Sequence, residues 1–420
     1  MFSKKAVLVF GLFSCLSFVC AANKIPEPWV VEVSNIQETT LPILPIEKNL
    51  AIIPIEIDGN KNLRFLFSTS GYETILVANK RTKNISWQSI NYISAIGLIP
   101  RVDKFLKFVI TKGKTLNIGG VSFANVNLFR VHVNEFIKKE VIKDYPIDGF
   151  IGNILLSGFI IDVDRKNNVF TLHPKNTDLT LLLKQHDNVI TVPLIIDNGV
   201  MFTKLQLQLN EGDTPQPYLF KIDSSDSAGL ILPATFDNLS VEKETHKVYN
   251  RSESSKIQSI IYRTVNKISF DDSSIDNVNA SFFKFKDEYI KNNSNQLREY
   301  GIFGAAFLAK FRNIYDLANN VLYLIPDETS FESSISNAFL PFTVMFIGDN
   351  FSEILVSGVD TSFEKNLKVG DKILSINKQS AKELSETGLT QILAGKKEGD
   401  LIEVCKVYKK DQKCFMTALY

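Results

Sequence analysis

Beyond residue 45 the chain is written in short segments whose apolar and polar positions alternate, or whose β-branched residues run together, each bounded by Asn, Asp, Gly or Lys. Leu50-Ala-Ile-Ile-Pro-Ile-Glu-Ile57 followed by Asp58-Gly-Asn-Lys61 is the pattern in miniature. Period-two patterning predicts strands, because successive side chains leave opposite faces of a pleated backbone. The expected fold class is therefore mainly β. Helical spacing of Leu384, Leu389, Ile392 and Leu393 predicts a helix within Ser380 to Leu393, and Leu179 to Leu183 predicts a short one.

Two stretches about 150 residues apart repeat the same order of features. Phe65-Leu-Phe-Ser-Thr-Ser-Gly71 leads to Asn125-Val-Asn127 and then to Gly149-Phe-Ile-Gly-Asn-Ile-Leu155. Phe220-Lys-Ile-Asp-Ser-Ser-Asp226 leads to Asn277-Val-Asn279 and then to Gly301-Ile-Phe-Gly-Ala-Ala-Phe307. Asn125 to Gly152 and Asn277 to Gly304 both span 27 residues, and Ser68 to Gly152 spans 84 against 81 for Asp223 to Gly304. Each unit closes on a strand, a polar turn and a strand ending in proline, Phe159 to Pro174 and Phe311 to Pro326. These spacings divide the chain into a first lobe at 45–174, a link at Lys175 to Asp187, a second lobe at 188–326, a polar linker from Asp327 to Asn337 and a last module at 339–420.

Composition removes several function classes. Lys+Arg of 47 against Asp+Glu of 46 leaves a net charge of +1, so no global field draws the chain to nucleic acid or an anionic surface. His132, His173, His186 and His246 lie far apart and none stands at ligand spacing, so no metal or cofactor is expected. Lys4 and Lys5, the apolar run Ala6 to Val19 and Val19-Cys20-Ala21 read as a signal peptide over residues 1–21, which implies export to a periplasm or beyond the cell. Bulky Phe18 and Val19 ahead of Cys20 argue against a lipid anchor. No other segment reaches about 18 uninterrupted apolar residues, so no membrane span is expected.

Cys405 and Cys414 lie in alternating segments on either side of Lys409-Lys-Asp-Gln412, a hairpin signature. A turn centred between Lys409 and Lys410 sets the two cysteines face to face, compatible with a disulfide or with two buried thiols.

An apolar strand ending in Asp-Thr/Ser-Gly, followed by an apolar-apolar-Gly segment, is the hallmark of retroviral-type and pepsin-type aspartic proteases, and the chain resembles that family over Leu50 to Pro326. The resemblance implies a two-lobed β-barrel fold of the acid-protease kind. In it Phe150-Ile-Gly152 and Ile302-Phe-Gly304 brace one aspartate turn each, and a peptide lies between the lobes. Leu367-Lys-Val-Gly-Asp-Lys-Ile-Leu-Ser-Ile-Asn377 is similar to the corresponding run of bacterial PDZ domains. The whole then looks like bacterial aspartyl-protease proteins with a C-terminal PDZ domain.

The family's chemistry needs two carboxylates, because close like charges cannot both ionise: one stays protonated to polarise the carbonyl while the other activates water. Here Asp223-Ser224-Ser225 keeps one aspartate, but Ser68-Thr69-Ser70 carries serine in place of the other, and both glycines are replaced by serine. A serine hydroxyl does not titrate near neutrality, so Ser68 is expected to hydrogen-bond Asp223 rather than to act as an acid or base. Asp223 is expected to behave as a lone carboxylate shifted only by burial, and Ser70 and Ser225 to crowd their turns. Glu73 and Asp226 are the nearest replacement acids.

The peptide-binding residues implied are Gly152 and Gly304 in the cleft, and Phe342, Thr343 and Val344 for strand addition to the PDZ-like module. Pro341 removes an N–H from the loop that would capture a terminal carboxylate. The expected function is an exported, catalytically impaired protein that binds a peptide or an extended protein segment. Two alternatives stand beside it: an active endopeptidase using Asp223, as a dimer, and a surface adhesin suggested by Asn-x-Ser sites such as Asn84 and Asn250.

Overall fold

The chain is mainly β in a computed structural model. The structure describes residues 31–46, 49–71, 74–86, 92–94, 107–131, 146–153, 155–197, 199–226, 229–232, 248–250, 257–270, 273–285, 300–327, 340–347, 352–359, 365–368, 370–384, 386–393, 396, 399–409 and 411–419. The expected signal segment, Glu73 and the linker after Asp327 lie outside them.

Among the described residues the strands form four sheets. The first has eight strands in the order Glu32–Ser34, Val121–Val131, Thr74–Val77, Gly149–Gly152, Asn60–Ser68, Ile52–Ile57, Lys107–Ile118, Tyr92–Ser94. A second eight-stranded sheet repeats the scheme with Gln216–Asp223 hydrogen-bonded to Gly301–Gly304 near its middle. Between them a six-stranded sheet takes three strands from each repeat: Ile190–Pro193, Val321–Pro326 and Phe311–Asp316, then Phe159–Asp164, Val169–Pro174 and Thr39–Pro42. Glu32–Ser34 and Thr39–Pro42 thus belong to the first unit although they lie ahead of residue 45.

The repeat governs how these sheets meet. Phe159–Asp164 runs antiparallel to Phe311–Asp316, and the register sets Asp162 opposite Ile314, its own counterpart 152 residues on. A local two-fold therefore passes through that pair. The left-handed backbone positions obey the same relation: Asn125 and Asn277, inside the strands Val121–Val131 and Ser274–Phe285, have φ of 59° and 55°, and the turn residues Asn168 and Asn320 have φ of 55° and 54°. Asparagine tolerates this left-handed region better than other residues with a Cβ, which is why the repeat preserves it at those positions. The junction is filled by Phe67, whose ring stands edge-on to Phe170 at 5.6 Å and to Tyr315 at 5.5 Å, so one aromatic contact spans both units.

Gly149 and Gly301 open the equivalent strands because nothing larger fits. A Cβ on Gly149 would stand 2.3 Å from Ile75 O, and one on Gly301 would stand 2.2 Å from the Phe220 ring. Those close approaches let Asn60–Ser68 pair in parallel with Gly149–Gly152, and Gln216–Asp223 with Gly301–Gly304. The registers end on Ser68 opposite Gly152 and Asp223 opposite Gly304.

The fourth sheet is built from residues 342–418 and runs Phe342–Ile347, Glu353–Val359, Lys372–Ile376, Leu401–Tyr408, Asp411–Ala418, with Gln379–Ser380 beside Lys372–Ile376. The helix here covers Glu386–Leu393, shorter than the expected span, because Ala381 to Leu384 form a turn in which the Leu384 N–H donates to Ser380 O. Thr180–Leu183 is helical. Tyr408 pairs with Asp411 across a two-residue turn, Cys405 stands opposite Cys414, and the two are disulfide-bonded.

Candidate functional site

The residues that end the two parallel-braced strands meet at the local two-fold. Thr69 N–H donates to Ser224 Oγ at 3.1 Å, and Ser224 N–H donates to Thr69 Oγ1 at 2.9 Å. Each hydroxyl then donates across to the other strand, Thr69 Oγ1 to Ile222 O at 2.8 Å and Ser224 Oγ to Phe67 O at 2.9 Å. Four bonds thus tie the first turn to the second, and Thr69 and Ser224 are both fully buried. Burial raises the cost of losing any of these partners, since an orphaned polar group retains its full desolvation penalty.

Ser68 and Asp223 flank this lattice on equivalent positions, yet their bond is indirect. Ser225 Oγ donates to Asp223 Oδ1 at 2.6 Å, and Ser68 Oγ donates to Ser225 Oγ at 3.1 Å. Ser70 Oγ lies 3.2 Å from Ser68 Oγ and 3.1 Å from Ser225 Oγ, closing a ring of three hydroxyls against one carboxylate. The expected direct bond from Ser68 to Asp223 is therefore replaced by a relay through Ser225. Ser70 and Ser225, expected to crowd their turns, instead turn their hydroxyls into this ring, where each has a hydrogen-bond partner.

Asp223 is not a lone carboxylate either. Lys221, two residues earlier on the same strand face, places Nζ 3.0 Å from Asp223 Oδ2. Burial pushes the Asp223 carboxyl upward, but the Lys221 charge and the bonds from Ser225 outweigh it and hold the group below its ordinary value. The expectation of a shift by burial alone is overturned by this ammonium. Lys221 carries the one functional signal the motif reading passed over: a charged residue facing inward in the apolar run Leu219-Phe-Lys-Ile222.

Gly152 and Gly304 are buried inside the sheets beside Ser68 and Asp223, so they brace the turns and present no surface to a peptide. Asp226 turns its backbone inward, its carbonyl accepting the Ala305 N–H at 2.6 Å. Phe342 is buried in the core of the C-terminal unit, and the strand carrying Thr343 and Val344 is that sheet's edge. The edge is partly taken: Phe346 N–H donates to Ile46 O at 2.7 Å. A surface cavity of about 280 Å³ lined by Leu207, Asp213, Gln216 and Tyr218 opens at the opposite end of the strand that carries Asp223, away from both turns.

A second charged cluster crosses the two-fold on the six-stranded sheet. Arg312 of the second unit donates to Asp162 of the first through Nε at 3.0 Å and Nη2 at 2.6 Å. His173 Nε2 stands 3.5 Å from the same carboxylate, and its Nδ1 lies 2.8 Å from Glu38 Oε2. The bond to Asp162 raises the His173 pKa against the opposing effect of burial, with Glu38 adding to the rise. Among the described residues no group of three or more His, Cys, Asp or Glu side chains is placed to hold a metal ion, and no helix is long and apolar enough to cross a membrane.

No family model matches the sequence, and no curated protein matches it.

Proposed function

We propose that the chain is an exported, two-lobed protein of the aspartic-protease fold with a C-terminal PDZ-like module, which has lost peptidase chemistry and binds extended peptide or protein segments. The observation that carries the first part is the Lys221–Asp223 pair. A general base must be free to take a proton from water, and the partner carboxyl must be protonated to polarise the carbonyl. Asp223 is committed to an ammonium on one oxygen and to Ser225 on the other, is fully buried, and faces Ser68 where the second carboxyl would stand. The paired turns and their braces support the fold reading, because each turn is braced by its own apolar-apolar-Gly segment and Thr69 and Ser224 join the two turns from two repeats into one site.

An active dimer built from two Asp223 turns would have to break all four Thr69–Ser224 lattice bonds, so it is disfavoured. With chemistry closed, the binding role falls to extended segments held by backbone pairing, as on the edge strand Phe342–Ile347. The test is to incubate the purified protein with a broad peptide library from about pH 3 to 7, the range in which carboxylate dyads work. No pepstatin-sensitive cleavage is expected, while immobilised extended peptides retain the protein. Cleavage that vanishes in Asp223→Asn would sink the non-catalytic reading, and failure of every peptide to retain the protein would sink the binding one.

A further inference from the structure

We infer that the edge strand Phe342–Ile347 is latched in cis by the turn Leu44-Pro45-Ile46, so that an incoming peptide must first displace the chain's own backbone. The contact stands on geometry alone, and only its consequence for peptides rests on the PDZ-like reading above.

Phe342–Ile347 has one neighbour in its sheet, Glu353–Val359, and alternate backbone groups of an edge strand therefore face outward. Phe346 N–H is one of these, and it donates to Ile46 O at 2.7 Å. The residues on both sides of this bond are sealed from water. Ile46 is 0% exposed, Phe346 3% and Ile347 2%.

The local two-fold shows that this joint is a departure from the repeat rather than a by-product of it. Ile43 N–H donates to Asn168 O and Leu194 N–H donates to Asn320 O, both at 2.8 Å, which makes Leu44 the counterpart of Ile195. In the second unit the chain continues straight into the strand Ile195–Asp197, paired with Val200–Gln208, and Ile195 and Ile196 remain 42% and 39% exposed. In the first unit proline stands where Ile196 stands in the second. Pro45 has no N–H to offer a strand, and the Ile46 N–H folds back onto Leu44 O at 2.9 Å. The turn thus leaves the Ile46 carbonyl facing the C-terminal unit, with the Ile46 side chain buried.

A peptide adding to this edge needs the Phe346 N–H that Ile46 holds. Its apparent affinity is reduced by the fraction of molecules in which the latch is open. Binding at the edge and release of the first unit are then one linked equilibrium.

The test uses the full chain. Phe346 N–H points away from its sheet neighbour, so its exchange with solvent deuterium reports the latch and little else. Ile46→Asp places a carboxylate in the buried joint and is expected to speed exchange at Phe346 at least tenfold, leaving amides of Leu401–Tyr408 and Phe159–Asp164 protected. Ile46→Ala gives the same result in smaller measure should the aspartate variant not fold. Unchanged exchange at Phe346 in a folded variant overturns the latch. In parallel, a fluorescein-labelled peptide of sequence Leu41 to Leu50 is titrated into both proteins. At least tenfold tighter binding to the variant is expected, and equal measurable affinity for both proteins overturns the competition. Faster exchange with no binding to either protein leaves the latch standing and removes the strand-addition reading of the edge.

Discussion

Lys221 Nζ donates to Asp223 Oδ2 at 3.0 Å, with the two side chains 1% and 0% exposed. Two buried ions this close hold each other in place. Breaking such a pair from one side strands the other charge, whereas replacing both ions by neutral groups of similar volume is often neutral or stabilising.

Asp223→Asn is therefore expected to destabilise the protein by about 3–5 kcal/mol, and adding Lys221→Met to recover most of that loss. Chemical denaturation of the two single variants and the double variant measures the coupling. The depressed Asp223 pKa fixes the sign of the acid response. Its stabilisation is fully present above the ordinary carboxylate value of about 4 and is lost as pH falls through the lower folded value. The double variant should lose part of that acid slope, and a slope identical to wild type would show that Asp223 does not supply it.

Thr69→Val keeps the shape of the side chain but deletes both hydroxyl bonds, leaving Ser224 N–H without an acceptor and Ile222 O without that donor. A loss of roughly 1–3 kcal/mol for each orphaned group is expected, and Ser224→Ala should behave alike by the local symmetry. A change below about 0.5 kcal/mol, the range of ordinary surface substitutions, would mean the turns are held together by something else.

His173 faces Glu38, Asp162 and, beyond Asp162, Arg312 and Asp164. Its pKa is raised on folding, so the stabilisation it adds is complete below its unfolded value of about 6.5 and fades as pH climbs through the folded value. Melting temperatures measured from pH 6 to 9 should fall more steeply for wild type than for His173→Gln. Parallel curves would exclude His173 as the source of that slope.

Reducing the Cys405–Cys414 bond, or replacing both cysteines by alanine, releases a loop closed over a sequence separation of 9. Chain-entropy arguments place the cost at about 2–3 kcal/mol for a loop of that size. Local exchange in Leu401–Tyr408 should rise while the six-stranded sheet is unaffected. An unaltered C-terminal unit after reduction would show that the hairpin stands on its core alone.

Much of this is legible in the sequence. Period-two patterning announced the strands, and the Asn-Val-Asn and apolar-apolar-Gly echoes announced the repeat. The echo of Thr40-Leu-Pro42 in Thr191-Val-Pro193 is equally readable, and it marks the two outer strands of the shared sheet, one of which lies ahead of residue 45. What escaped was the partner of Asp223. Lys221 looks like an ordinary strand residue until the strand is seen to be buried on both faces.

The amino-acid sequence alone determined that the protein is mainly β, that its two halves repeat, that one turn carries aspartate where the other has serine, and that Cys405 and Cys414 share a hairpin. These are local facts, set by side-chain periodicity and by backbone preferences of a few neighbouring residues. Only the tertiary structure decided that Ser70 and Ser225 join Ser68 in one hydroxyl ring, that Lys221 neutralises Asp223, and that Ile46 holds the edge strand of the last unit. Each depends on groups brought together from distant positions or sealed from water, where burial sets the strength of a charge or a hydrogen bond, and no spacing along a chain encodes that environment.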